Sequence, residues 1–415
     1  MLGRALDDSY ASEVRRHITL LTVARLCANA CYRFAPPFLA TIARGIDVSL
    51  NDIGIAVAIA ELAGLASPAT ARLVDRLHRR TAMAAGLLIV GIGTVLAASS
   101  QGLVWFTVAL VIISQSKVMF DLGLGSWIAD HVSYDRRSRV VGLTETSWAF
   151  GLLIGVSAMG LATAAGGFRF GFLTGAAGVA VLAVLVRRSL PDDQHSVHTA
   201  RRGAGGGGLP GKVNPTGKVD RRGWTVIAGA VTLMAASQNL FVTFGSWLED
   251  SFGFGAAGIS AVVFGLGLGE LLASVTSAGR TDRWGKEWST AMGALAMVPA
   301  ALALSVWNDH LALGLVFLVI AIGAFEFSIV SALAIGSQLV PGSPARGLAL
   351  MIGGGTLGRA IASVPATRLY EHSGIGWPAA ICAACAAVTA AAMLLARKPV
   401  TAAATTAMTT DGHPS

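Results

Sequence analysis

The chain is 415 residues long, 54% hydrophobic and 13% charged, with a mean hydropathy of +0.65. So much apolar sequence excludes an ordinary soluble globular chain. The net charge of +8 raises nucleic acid as a partner, but the basic residues sit in short segments between apolar runs, which excludes it. The 50 glycines are spread through those runs, where they let helices approach closely. Cys27, Cys31, Cys382 and Cys385 also lie inside apolar runs with no polar ligands nearby, so they read as packing residues rather than a redox or metal site.

A bilayer crossing needs about 20 apolar residues. Twelve such spans are predicted, at 18–43, 52–71, 82–100, 103–129, 140–163, 168–187, 224–247, 257–278, 288–306, 311–335, 346–367 and 377–396. The polar stretch 1–16 ahead of them reads as no cleavable signal peptide. With the N-terminus in the cytoplasm, 24 of the 31 Lys and Arg fall in cytoplasmic segments. Only Arg44, Arg169 and Arg368 fall in outer loops, as the positive-inside rule requires. Both termini are therefore placed inside, on the cytoplasmic (inner) membrane. The expected domains are 1–187, a basic Gly- and Pro-containing linker at 188–222, 223–397, and an Ala/Thr-rich tail at 398–415. Linker and tail cannot bury enough surface to fold, and the linker's charge suits anionic lipid.

Between spans 2 and 3 lies Ala71–Arg80, A-R-L-V-D-R-L-H-R-R, whose four arginines cannot sit in hydrocarbon. A near-copy, A-G-R-T-D-R-W-G-K, occupies Ala278–Lys286 between spans 8 and 9, and Asp282 follows Asp75 by 207 residues, about half the chain. The spacing points to duplication, and a parallel repeat of membrane helices points to a transporter. The first copy resembles the G-x-L-a-D-r-x-G-r-r signature of the major facilitator superfamily, with Ala71 and His78 in place of its glycines. The resemblance implies an all-α membrane fold of twelve transmembrane helices in two pseudo-symmetric six-helix bundles. It also implies a central cavity lined by spans 1, 4, 7 and 10, and a gating role for the hairpins. Asp75, Arg76, Arg80, Asp130, Asp282 and Arg283 are the gating candidates, with Asp75 and Arg76 expected to engage Asp130.

Ionisable groups inside spans each cost at least ~2.5 kcal/mol at mid-bilayer, which makes them functional candidates. Arg25, Asn29 and Arg33 recur every fourth residue and share one face of span 1, turned into the bundle; for Arg25, nearer the cytoplasmic end, snorkelling is the alternative. Lys117 and Asp121 on span 4 can pair with each other. Their stretch resembles the superfamily's span-4 motif, with Lys117 at the basic position. That implies a part in proton transfer, and a structural ion pair stands as the equal alternative. Glu145 on span 5 can pair with the cluster Arg136–Arg139. The run at 151–160 resembles the family's antiporter motif, but Val156 and Met159 break it, which weakens export. Gln238 and Asn239 on span 7 suit hydrogen bonding to a ligand. Glu326, between Phe325 and Phe327 on span 10, suits binding and release of a proton; its alternative is an ion pair with Arg359 on span 11. Glu61 and Glu270 read as repeat-related acids on spans 2 and 8 that stabilise the contact between halves.

The expected cavity side chains are thus Arg25, Asn29, Arg33, Lys117, Asp121, Gln238, Asn239 and Glu326, and the proton-coupling set is Glu326, Asp121, Glu61 and Arg359. No nucleotide loop, metal cluster or nucleophile triad is visible; Gly353–Gly355 lies inside a span and cannot cradle phosphate. No cofactor, metal or enzymatic activity is expected. The reading is a monomeric secondary transporter of a small organic solute, proton-coupled and exporting. Proton-coupled uptake is the runner-up, and a non-transporting receptor or assembly partner is the reading from another class.

Overall fold

The computed structural model describes residues 3, 6–7, 10–133, 136–191, 219–336, 338–340 and 344–397. Most of the expected linker and the whole 398–415 tail lie outside the described residues. Every regular element among them is helical. With no water to satisfy backbone groups in hydrocarbon, a long apolar run must satisfy them within the helix.

The helices are α1 Ser12–Arg33, α2 Leu39–Gly45, α3 Leu50–Ala63, α4 Ser67–Val74, α5 Arg79–Ser99, α6 Leu103–His131, α7 Arg137–Phe150 and α8 Ser157–Ser189. After the expected linker come α9 Arg221–Phe241, α10 Phe244–Phe252, α11 Ala256–Trp284, α12 Lys286–Val306, α13 Leu311–Gly336, α14 Pro344–Ser373 and α15 Gly376–Ala396. Ten helical stretches among the described residues are long and apolar enough to cross a membrane.

Several expected spans are broken rather than straight. Span 1 divides into α1 and α2 at Pro36–Pro37, where two residues without an N–H cannot continue the helix. Span 2 divides at the 3₁₀ turn Gly64–Ala66 ahead of Pro68. There the Gln115 side-chain amide, from α6, donates to the carbonyl of Ala63, satisfying backbone at the break. Spans 5 and 6 form one helical run in which a π-helical turn, Gly151–Val156, joins α7 to α8. The loop expected between these spans is a break at Gly166–Gly167, with Gly167 at φ 76°. Gly285, between α11 and α12, takes φ 91°, a conformation that favours glycine. Its counterpart His78 has φ −62°, so the first hairpin closes without glycine.

The duplication is visible in packing. In the first half α5 packs on α6 and α8, α1 on α7 and α8, and α3 on α6; in the second α12 packs on α13 and α15, α9 on α14 and α15, and α11 on α13. The halves meet where α3 lies on α14, and where α11 lies on α7, α8 and the π-turn. At the end expected to be outer, α2 meets α10. Arg44 Nη2 lies 2.5 Å from Glu249 Oε2, Thr41 donates to the same carboxylate, and the Asn51 N–H donates to Glu371 Oε1 at 3.0 Å. A Cβ on Gly245 would overlap the Pro37 carbonyl, so close are the two elements.

Candidate functional site

A half-open cavity lies between the halves, with about 790 Å³ of empty space counting its mouth. Its walls come from α1 (Tyr32, Arg33), α3 (Val57, Ala60, Glu61), α6 (Leu110, Ile113), α7 (Trp148), the π-turn (Leu152), α9 (Ser237, Gln238, Phe241), α13 (Phe325) and α14 (Arg359).

Two ion pairs cross the cavity walls, and each joins one half to the other. Arg33, in the last turn of α1, donates from Nη1 to Glu270 Oε2 at 2.9 Å and from Nη2 to Oε1 at 2.6 Å. The same Nη1 donates to the Trp148 carbonyl at 3.1 Å. The guanidinium lies over the Trp148 ring at 4.6 Å and near Phe241 at 5.6 Å, and the Glu270 side chain is wholly buried. In the second pair acid and base exchange halves. Arg359 Nε donates to Glu61 Oε2 at 3.0 Å and Nη2 to the Tyr32 hydroxyl at 3.2 Å, while that hydroxyl donates to Glu61 Oε1 at 2.8 Å. Planar, two-pronged pairing of this kind fixes orientation as well as charge.

A third charged cluster stays within the first half. Lys117 Nζ is 2.6 Å from Asp121 Oδ2, and Asp121 Oδ1 accepts from Arg25 Nε at 3.0 Å. Arg25 Nη1 reaches Glu145 Oε1 at 2.8 Å and the Thr144 carbonyl at 3.1 Å. Lys117 also lies 5.3 Å from the centre of the Trp148 ring, so that indole stands close to two cations.

Placement corrects several expectations. Arg25, Asn29 and Arg33 do share a face, but it packs along α7, where they donate to Thr144, Ser147 and Trp148 in turn; of the three, Arg33 reaches the cavity wall. Arg25 is tied up inside the bundle with only 12% of its side chain exposed, so snorkelling does not describe it. Glu145 meets Arg25 rather than the Arg136–Arg139 cluster. Gln238 lines the cavity while donating to Ser363 Oγ at 2.9 Å; Asn239 is buried and donates back to the Ala235 carbonyl. Lys117, Asp121, Asn29 and Glu326 stand behind the wall.

The Glu326–Arg359 pair does not form, because Arg359 is held by Glu61. Glu326 instead accepts from Ser274 Oγ at 2.7 Å, and its Oε2 is buried without a hydrogen-bond partner. The hairpin expectation also changes. Asp130 is bound by Arg79 Nε at 2.9 Å rather than by Arg76, and Asp75 and Arg76 are exposed. Arg80 donates to the Leu190 carbonyl at 3.1 Å; Arg283 is exposed, and the Asp282 side chain lies outside what is described.

Tyr32, Trp148 and Phe241 are wall residues absent from the sequence-based expectations, and Phe325 entered them only as a flank of Glu326. Their signal was adjacency, since Tyr32 precedes Arg33 and Phe325 precedes Glu326.

The family model described as Major Facilitator Superfamily matches residues 21–237, more than half the chain. The uncharacterized transporter YgaY of Escherichia coli O157:H7 is 29% identical over 184 residues, 44% of this chain and 46% of that protein. The uncharacterized MFS-type transporter YwfA of Bacillus subtilis (strain 168) is 26% identical over 137 residues, 33% of each chain. The matched stretch therefore spans less than half the length of these relatives. Among solved structures, a bacterial homologue of the human lysosomal transporter Spinster, inward-facing and unoccupied, superimposes with a TM-score of 0.67 at 15% identity, over 93% of this chain and 94% of that one. The human organic anion transporter MFSD10 (TETRAN) gives 0.65 at 16% identity, over 93% and 100%. At such identities the likeness is one of fold.

Proposed function

The chain belongs to the Major Facilitator Superfamily, a family of transporters, and on that premise we propose that it exports a small organic solute across the cell membrane in exchange for protons. Alternating access about the central cavity is the mechanism. The twelve crossings of this reading are the ten apolar stretches, with Ser12–Gly45 as an additional broken span and Arg139–Ser189 passing twice through its break at Gly166–Gly167. They divide into two six-helix bundles joined by the 188–222 tether, with both termini in the cytoplasm and the molecule a monomer.

One observation carries the proposal: the cavity is walled by both halves and straddled by two ion pairs that exchange acid and base between them, Arg33–Glu270 and Arg359–Glu61. A rocking motion that parts the halves must break such pairs, so site chemistry and access are linked. Glu326, buried with one oxygen unpartnered, is the coupling acid of this reading. The Trp148, Phe241 and Phe325 walls suit an apolar or aromatic body, with Gln238 and Ser237 offering hydrogen bonds.

The test is transport in proteoliposomes holding the full chain. A panel of drug-like and sugar-like solutes is screened for movement driven by a pH gradient. Solute leaving the cytoplasmic-facing side as protons enter is the expected result. Solute and proton moving together would replace export by uptake, the reading that Val156 and Met159 favour. Binding without flux of any solute would favour the receptor.

A further inference from the structure

Among the described residues, the Arg, Lys, Asp and Glu side chains that lie within the spans and away from their ends are four basic and five acidic: Arg25, Arg33, Lys117 and Arg359 against Glu61, Asp121, Glu145, Glu270 and Glu326. Lys117 and Arg25 neutralise Asp121 and Glu145, and Arg359 neutralises Glu61. Arg33 spends both terminal nitrogens on Glu270. The surplus acid is Glu326.

Glu326 is 4% exposed and Glu270 is fully buried. Ser274, whose hydroxyl donates to Glu326, follows Glu270 by one turn of α11, so the two carboxyls face the same stretch of that helix. Each interacts electrostatically with the other, Arg33 with both, and Glu145 more weakly with Glu326. Of the other elements packed on α13, α9 presents Gln238 and Asn239, α14 presents Arg359, already bound to Glu61, and α12 carries its charges, Lys286 and Glu287, in its first turn. One guanidinium thus serves two dry carboxyls, and the second has an oxygen with no donor. Isolated buried charge is expensive enough that such a group takes up a proton instead.

We propose that Glu270 and Glu326 are a proton-binding dyad, and that Arg33, contributed by the opposite half, is exchanged for a proton when the halves part. In the present conformation Arg33 neutralises one carboxyl and a proton on Glu326 neutralises the other. When the halves separate, the two N–H···O bonds from Arg33 to Glu270 break. One O–H bond then forms on the dyad, with the proton drawn from the aqueous phase that the cavity faces. Closure returns Arg33 to Glu270 and releases that proton to the other side. One proton crosses per cycle, because one guanidinium leaves and returns per cycle. This rests on the proton-coupled reading above.

Infrared spectroscopy of the full chain in liposomes tests it without a known solute. Exposed carboxyls are ionised above about pH 6, so an acid C=O band that survives above that pH reports buried acids. Wild type should show the band of one carboxyl. Glu326→Gln should remove it, and so should Glu270→Gln, since Arg33 is then free to neutralise Glu326. Arg33→Gln should roughly double it, with both acids protonated. Glu270→Asp, which keeps the charge, should retain the wild-type band and shows that loss is not misfolding. A wild-type band in Glu270→Gln would overturn the dyad and leave Glu326 acting alone. An unchanged band in Arg33→Gln would overturn the exchange, and a wild-type band suppressed by sodium would overturn the proton as ligand. If the bands behave as expected but a pH gradient drives no solute, the dyad stands and the coupled-transport reading falls.

Discussion

The energetics of single side chains are dominated by charges that the bilayer makes expensive to strand. Arg359 is held by Glu61 and Tyr32, with 20% of the arginine side chain and 10% of the glutamate exposed. Removing one partner from a buried pair costs about 3–5 kcal/mol, and the partial exposure here places Glu61→Gln near the lower end. Thermal unfolding in detergent should show that loss, and the exchanged pair Glu61→Arg with Arg359→Glu should recover most of it. An unaltered midpoint in Glu61→Gln would mean that the pair contributes nothing to stability. Trp148 offers a different test, because its ring stands 4.6 Å from the Arg33 guanidinium and 5.3 Å from the Lys117 amine. Cation–π contacts are worth about 0.5–2 kcal/mol each, so Trp148→Ala should destabilise the fold by about 1–4 kcal/mol, read as a lower unfolding midpoint in detergent. Trp148→Phe, which keeps an aromatic face, should retain much of that stability, and equal losses in both would assign Trp148 a purely steric role.

Among elements, those that touch across the halves carry the mechanical argument. The α2–α10 contact brings Gly245 so close to the Pro37 carbonyl that no Cβ fits, and the backbone of α11 at Gly267 leaves only 2.5 Å between an added Cβ and the Leu153 nitrogen. Overpacking of this kind costs roughly 1–3 kcal/mol, or about 5- to 150-fold in the balance between two conformations. Gly245→Ala should therefore favour the state in which this end is open. A reporter cysteine at Ser246, which is 1% exposed, should react with an impermeant maleimide about tenfold faster in that background. Equal rates would mean that α2 and α10 do not part during the cycle. The π-turn Gly151–Val156 shows why a motif can be half legible. Gly151 and Gly155 turn to α1, against Asn29 and Ala30, while Leu152 lines the cavity and Leu153 meets α11. Its glycines serve packing, and that much survives the break in the motif at Val156.

For the whole molecule, α5 packs on α6 and α8 as α12 packs on α13 and α15, a repeat of contacts that matches the spacing of the two hairpins. The tether between the halves is predicted from composition alone, with Gly205–Gly208, Pro210 and Pro215. Deleting 203–208 should leave transport within about twofold of wild type, because loop-closure entropy changes slowly with length. A flux assay showing complete loss, with the protein still folded, would assign the segment a structural role.

Much of this protein was legible in one dimension. Hydropathy, the basic bias of alternate loops and the repeated D-R hairpin follow from the bilayer acting as solvent on each segment separately, so they need no knowledge of neighbours. The same reasoning picked out Arg25, Arg33, Glu61, Lys117, Asp121, Glu145, Glu270, Glu326 and Arg359 as groups that must find partners. Local spacing was enough for the Lys117–Asp121 pair on one helix. Which acid meets which base across the halves was decided by tertiary structure. Arg33 and Glu270 are 237 residues apart and Arg359 and Glu61 are 298 apart, so their pairing depends on how helices from the two halves of the chain pack against each other. That packing, and not any sequence neighbour, takes Arg359 away from Glu326 and leaves one oxygen of the latter buried without a hydrogen-bond partner.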